Sequence, residues 1–148
     1  MNLENPQVFF VFFVCLWLLV GLFVAQMSGW AQLARYYRPE TPFEGERWRF
    51  RSCKMRWLTH YNNCVTAGSD TKGLYLAVLF LFRVGHPPLF VPWHEVMIRQ
   101  GKTLFWRWTE FSFHQAPSVW VKFYGELGDE ICRAAGPAWP GNSPANRE

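Results

Sequence analysis

The chain has 148 residues and a formal net charge of +4; half of its residues are hydrophobic, 18% are charged, and nine are tryptophan. Setting aside one long apolar run leaves about 110 residues, enough for a single compact domain with its own core and too few for two. Seven basic residues (Arg35, Arg38, Arg47, Arg49, Arg51, Lys54 and Arg56) face three acids (Glu40, Glu44 and Glu46) between Arg35 and Arg56. That stretch holds the whole positive surplus, which excludes the broad basic face of a nucleic-acid-binding domain.

Residues 1–6 form a short polar leader. Val8 to Ala25 then read VFFVFFVCLWLLVGLFVA, and no charge occurs from Asn5 through Ala34. At about 1.5 Å per residue, eighteen to twenty residues cover roughly 30 Å, the hydrocarbon thickness of a bilayer. The pattern predicts one transmembrane helix with its extension over residues 7–34. A cleavable signal peptide would need a basic start, and this chain opens MNLENPQ. A lipoprotein site would need small residues ahead of Cys15, which sits among Phe13, Val14 and Leu16. A core helix of a small domain would be amphipathic, not apolar on all sides.

The basic flank follows the span, and basic residues near a span stay on the cytoplasmic side. The N-terminus is therefore expected outside and the domain inside a bacterial inner membrane. Trp30, Tyr36 and Tyr37 fall where an interfacial aromatic belt would lie. Arg35, Arg38, Arg47, Arg49, Arg51, Lys54 and Arg56 are the expected contacts to lipid headgroups or to a partner.

Pro39 stops the helical extension, and residues 35–46 read as a linker. From residue 47 the pattern becomes strand-like. Trp48 and Phe50 alternate with Arg49 and Arg51, then Met55 and Trp57 continue on the other parity, predicting a bulge near Cys53. A second strand is expected over Asn63–Ala67, a turn over Gly68–Gly73, and a third strand in LYLAVLFLFR. Pro87 and Pro88 open a turn, and Pro92 marks the strand of Leu89, Val91 and Trp93 as an edge strand or a bend, not a central strand. In LFWRWTEFSFH, Leu104, Trp106 and Trp108 lie on one predicted face and Phe105, Phe111 and Phe113 on the other. SVWVKFY is the last predicted strand. GELGDEICRAAG carries helical spacing with acids early and Arg133 late, which suits the helix dipole. Residues 137–148 read as a proline-rich tail, disordered in isolation.

The order of turn, Gly73-Leu74-Tyr75-Leu76, an apolar strand ending at Arg83, then Leu89-Phe90-Val91-Pro92-Trp93 with Val96 and Ile98, further strands and a closing helix resembles bacterial pleckstrin-homology-like and GRAM-like domains. The resemblance covers about residues 46–136. It implies a bent, partly closed antiparallel barrel capped by the C-terminal helix, binding lipid headgroups or proteins without catalysis. Inositide-reading members carry a basic loop between their first strands; Gly68–Gly73 offers only Lys72, so specific inositide recognition is not expected.

Chemistry-bearing clusters are sparse. His60 and Cys64 are four apart with Cys53 upstream, but on strands they lack metal-ligand geometry, and no fourth ligand is evident. His94 and Glu95, read as strand neighbours, point to opposite faces. No phosphate loop, dinucleotide fingerprint, nucleophile elbow or zincin motif occurs, so neither an enzyme nor a cofactor is expected. The four cysteines suit free thiols in a reducing compartment. Trp93, Trp106, Trp108 and Trp120 either fill the small barrel and its collar or lie at partner contacts; so small a core cannot hold every tryptophan, so partner contacts are expected among them. The expected function is non-catalytic docking or scaffolding at the membrane, as an accessory subunit of a larger respiratory or photosynthetic assembly. Its partners are membrane lipids and other membrane-protein subunits, not nucleic acid. The alternative is a module that binds anionic lipid.

Overall fold

The computed structural model describes residues 4–56 and 59–142. Helix α1 (Pro6–Ser28) starts with Asn5, whose side-chain oxygen accepts the Gln7 amide, and with Pro6 in the first turn, where its missing N–H costs nothing. It is long and apolar enough to cross a membrane, and only 6% of its most apolar window is buried. A core helix of this composition would be covered. Here Phe9 to Phe13, Leu19 and Phe23 are all exposed.

The expected continuous extension of α1 is interrupted. Gly29 adopts φ 89° and turns the chain into a second, seven-residue helix, α2 (Trp30–Tyr36). A Cβ at Gly29 would lie 2.6 Å from Val119, so both the left-handed backbone and the close approach require glycine. Residues 35–46, expected as a linker between anchor and domain, are instead taken up by the end of α2, the start of the first strand at Glu46 and a segment between them that is packed down. Tyr37 and Phe43 are buried, and the Tyr37 carbonyl accepts the Phe90 amide at 2.8 Å.

Seven antiparallel strands follow: β1 (Glu46–Met55), β2 (Thr59–Ser69), β3 (Gly73–Val78), β4 (Leu89–Pro92), β5 (Val96–Lys102), β6 (Arg107–Phe113) and β7 (Ala116–Tyr124), closed by α3 (Leu127–Ala135). Their order in the sheet is β4-β3-β2-β1-β7-β6-β5. β4 and β5 form the two edges and are joined in sequence by the 3-10 turn Trp93–Glu95. Leu74, Leu76, Leu89 and Val91 from one half share a single core with Ile98, Phe111, Phe113, Val121 and Phe123 from the other, so the sheet folds over on itself. Ile131 of α3 is fully buried in that core, and its carbonyl accepts the Ser69 hydroxyl at 2.9 Å.

Several sequence expectations meet the structure directly. The β1–β2 register shifts on both sides of Arg51, where a bulge was expected, and Phe50 takes φ 56° there. Asp70 accepts the Lys72 and Gly73 amides and makes the turn into β3. Pro92 ends an edge strand. The strand expected to run to Arg83 stops at Val78, because the β2 ladder ends at Val65 opposite Val78, and Phe80–Phe82 coil into a 3-10 turn. Leu104, Phe105 and Trp106 are not strand residues either; they form the exposed tip between β5 and β6, while Phe111 and Phe113 are fully buried. In the tail, Trp139 is packed against Phe111 and Trp93. The leader residues 1–3, the Trp57 position and tail residues 143–148 lie outside the described residues.

Candidate functional site

Among the described residues, the junction where α1 and α2 enter the β domain holds a well-built polar site. The Ser28 hydroxyl, at the last turn of α1, is wholly buried. It accepts the Trp30 amide at 3.2 Å and lies 2.9 Å from the Tyr61 hydroxyl on β2. His86 Nδ1 faces the Val84 carbonyl at 3.0 Å, which places the ring proton there and leaves Nε2 to accept from Tyr61 at 2.8 Å. The Trp30 indole N–H donates to the Pro87 carbonyl at 2.8 Å, and its ring meets Tyr61 edge-on. Leu33 and Ala34 of α2 are buried in the same core. With Ser28 sealed from solvent and its neighbours hydrogen-bonded to one another, the Ser28-Tyr61-His86 group ties two helices to a sheet and offers no open nucleophile.

Burial holds the His86 imidazole below the usual histidine range, against a weaker upward pull from the Val84 and Phe82 carbonyls. Burial likewise pushes the Tyr61 phenol and the Cys53 thiol well above their ordinary values. A histidine depressed in the folded state stabilises fully above its unfolded value of about 6.5 and loses that contribution as pH falls below it. Melting in detergent is therefore expected to drop between pH 7 and pH 5, with a shallower drop for His86→Gln. Identical slopes for the two proteins would contradict the role given to this ring.

Arg56 braces the junction from the other side. Its guanidinium reaches Gln32 on α2 at 3.0 Å and the Met27 carbonyl at 3.5 Å. It is thus an internal bracket and not a free headgroup contact. The other expected headgroup residues do not converge on one face. Arg35 is exposed, and Arg38 donates to the Ala34 carbonyl. Arg47 covers the stacked rings of Phe43 and Tyr75 and bonds the Phe43 carbonyl. Arg51 pairs with Glu130 of α3 at 3.8 Å, and Lys54 stands opposite Lys122 in the β1–β7 ladder. Arg49 is exposed and lines a cleft of about 220 Å³ together with Arg47, Arg83, Phe50 and Phe80.

The aromatic expectations also divide. Of the proposed belt, Tyr36 alone is exposed. Trp30 is fully buried, and Tyr37 is held by Glu95 and the Gln115 amide. The belt reading fails for both because their rings fill the space between α2 and the sheet. Trp93 is buried and donates to the Asp70 carbonyl at 2.7 Å, so it is a core residue and not a partner contact. Trp108 and Trp120 are half-buried around the Lys122 ammonium, which sits 4.5 Å above the Trp108 ring. Trp106 is 63% exposed beside Leu104 and Phe105 at 85% and 78%.

Sequence reasoning missed three features: the Gly29 break, the Tyr61-His86 pair, and the exposed turn Phe80–Phe82. The last had a signal, since an apolar run on both parities followed by Arg83 fits a short strand poorly. That turn also helps to close a cleft of about 340 Å³ between α1 and β2, lined by Trp17, Val24, His60, Tyr61, Phe82 and His86. His94 and Glu95, expected on opposite faces, instead approach to 3.9 Å within their 3-10 turn, at the surface. The four cysteines are free thiols, and among the described residues no three His, Cys, Asp or Glu side chains are placed to hold a metal ion. No family model, curated protein or solved structure matches the chain.

Proposed function

We propose that this chain is a non-catalytic, single-pass membrane protein whose β domain docks other membrane-protein subunits while being held rigidly at the bilayer. The observation that carries this reading is the junction itself. The apolar helix does not hang from a flexible tether, because Ser28, Trp30 and Leu33 are 0% exposed within the core of the domain. An anchor so joined fixes the distance and orientation of the domain relative to the membrane, which a scaffold needs and a freely diffusing domain does not.

The basic surplus after the span supports an orientation with the N-terminus outside and the domain on the cytoplasmic side of a bacterial inner membrane. The strand order, the single folded-over core and the closing helix α3 support a pleckstrin-homology-like architecture. On the domain surface, the tip of Leu104, Phe105 and Trp106 is the apolar patch suited to a partner subunit.

Native electrophoresis in mild detergent tests this reading. The chain is expected to migrate with a larger assembly, and Phe105→Ala with Trp106→Ala is expected to release it at unchanged melting temperature, since neither ring is buried. A lone monomer in the parent preparation would argue against docking.

A further inference from the structure

We infer that the turn Phe80–Phe82 is a wedge that enters the acyl-chain layer of the leaflet beside α1, so that the β domain is seated in the bilayer and not merely near it. The inference rests on the reading that α1 spans a membrane. Phe80, Leu81 and Phe82 are 69%, 53% and 40% exposed, three consecutive large apolar side chains on a turn, where water would favour Gly, Asn, Asp or Ser.

Their surface is continuous with that of the helix. The Phe82 ring stacks on Trp17 at 5.4 Å, and the Trp17 indole N–H donates to the Leu81 carbonyl at 3.2 Å. Further along, Gly21 faces Val84, and Gly85 faces Leu22 and Ala25, so residues 81–85 run beside α1 from Trp17 to Ala25. Eight residues of helix cover about 12 Å. The turn therefore lies at the depth of the middle of the apolar run, where its exposed rings meet whatever the exposed rings of α1 meet.

Irregular backbone tolerates that environment only when its polar groups are satisfied within the protein. The turn meets this condition in large part. The Leu79 amide donates to Cys64, the Phe82 amide to Leu79, the Arg83 amide to Phe80, and the Leu81 carbonyl is taken by Trp17. Immediately behind the rings, Arg83 and Arg49 line the cleft shared with Phe80 and with Phe50, itself 64% exposed. The arginines mark where the apolar surface of the turn gives way to the polar side of the β domain.

The test uses the full chain in vesicles of zwitterionic and anionic lipid, with Cys15→Ala to remove the exposed native thiol. Burial raises the remaining Cys53, Cys64 and Cys132 thiols and slows their labelling. Nitroxides are placed at Leu81→Cys or Phe80→Cys, at Leu19→Cys on α1, and at Lys72→Cys on the exposed turn between β2 and β3. Accessibility to oxygen relative to a water-soluble nickel chelate is measured at each. Positions 80, 81 and 19 are expected to share a ratio several-fold above that at 72. Nickel access at 80 and 81 equal to that at 72, with 19 still protected, would overturn the wedge and leave the span intact. Nickel access at 19 as well would overturn both.

Discussion

Trp30→Ala is expected to lower the melting temperature of the detergent-solubilised chain by about 6–20 °C. Truncating a fully buried Trp costs about 3–5 kcal/mol, and each kcal/mol shifts melting by roughly 2–4 °C in a chain of this size. The ring is 0% exposed, contacts Tyr61 and His86, and its N–H is the partner of the Pro87 carbonyl, which the substitution would leave unpaired. Loss should be local first. Amides of α2 that bond back to Gly29 and Leu33, together with the Phe90 amide on Tyr37, are expected to exchange faster than those in the β5–β6 ladder. Trp30→Phe, which keeps most of the volume and loses the hydrogen bond, should fall between. A melting temperature within a degree or two of the parent would mean that α2 is not part of the folded unit.

The second large effect concerns α1. Val8–Ala25 contains fourteen Leu, Phe and Val residues, worth together about 4–8 kcal/mol of insertion free energy at roughly 0.3–0.6 each. One arginine near the centre opposes this by about 2.5–3.5 kcal/mol, too little to eject the helix. Two arginines cancel most of it. Phe12→Arg with Leu16→Arg is therefore expected to shift a majority of the chain out of membranes, whereas either change alone leaves most of it inserted. Both side chains are exposed, so the β domain should melt as before. A double variant retained as fully as the parent would show that the domain, not the helix, does the anchoring.

These two effects also mark what could be read from the chain before its structure. The apolar run, the bulge near Cys53, the Asp70 turn, the edge strand ending at Pro92 and the dipole-matched α3 each carry a local cause, and local causes leave local patterns. Trp30 and Tyr37 do not. An amphipathic ring just past a span has the same sequence appearance at a membrane surface and in a core, and only the sheet decides, by placing Val119 against Gly29 and Tyr61 against Ser28. The arginines in and just after β1 stand close together in sequence, whereas strand alternation, the bulge at Phe50 and the turn after Met55 send Arg47 to Phe43, Arg51 to α3 and Arg56 to α2. Trp139 was hidden by its proline-rich neighbours. Its burial depends on Phe111 and Trp93, which lie 28 and 46 positions earlier in the chain.

Alkaline extraction of sealed membranes carrying the unaltered chain addresses the span most directly, with the Phe12→Arg/Leu16→Arg variant run beside it. The unaltered chain is expected in the membrane pellet after the carbonate wash, and the doubly charged variant mainly in the supernatant. Recovery of the unaltered chain in the supernatant, folded and without detergent, would contradict a membrane-spanning α1 and with it a β domain held at the bilayer.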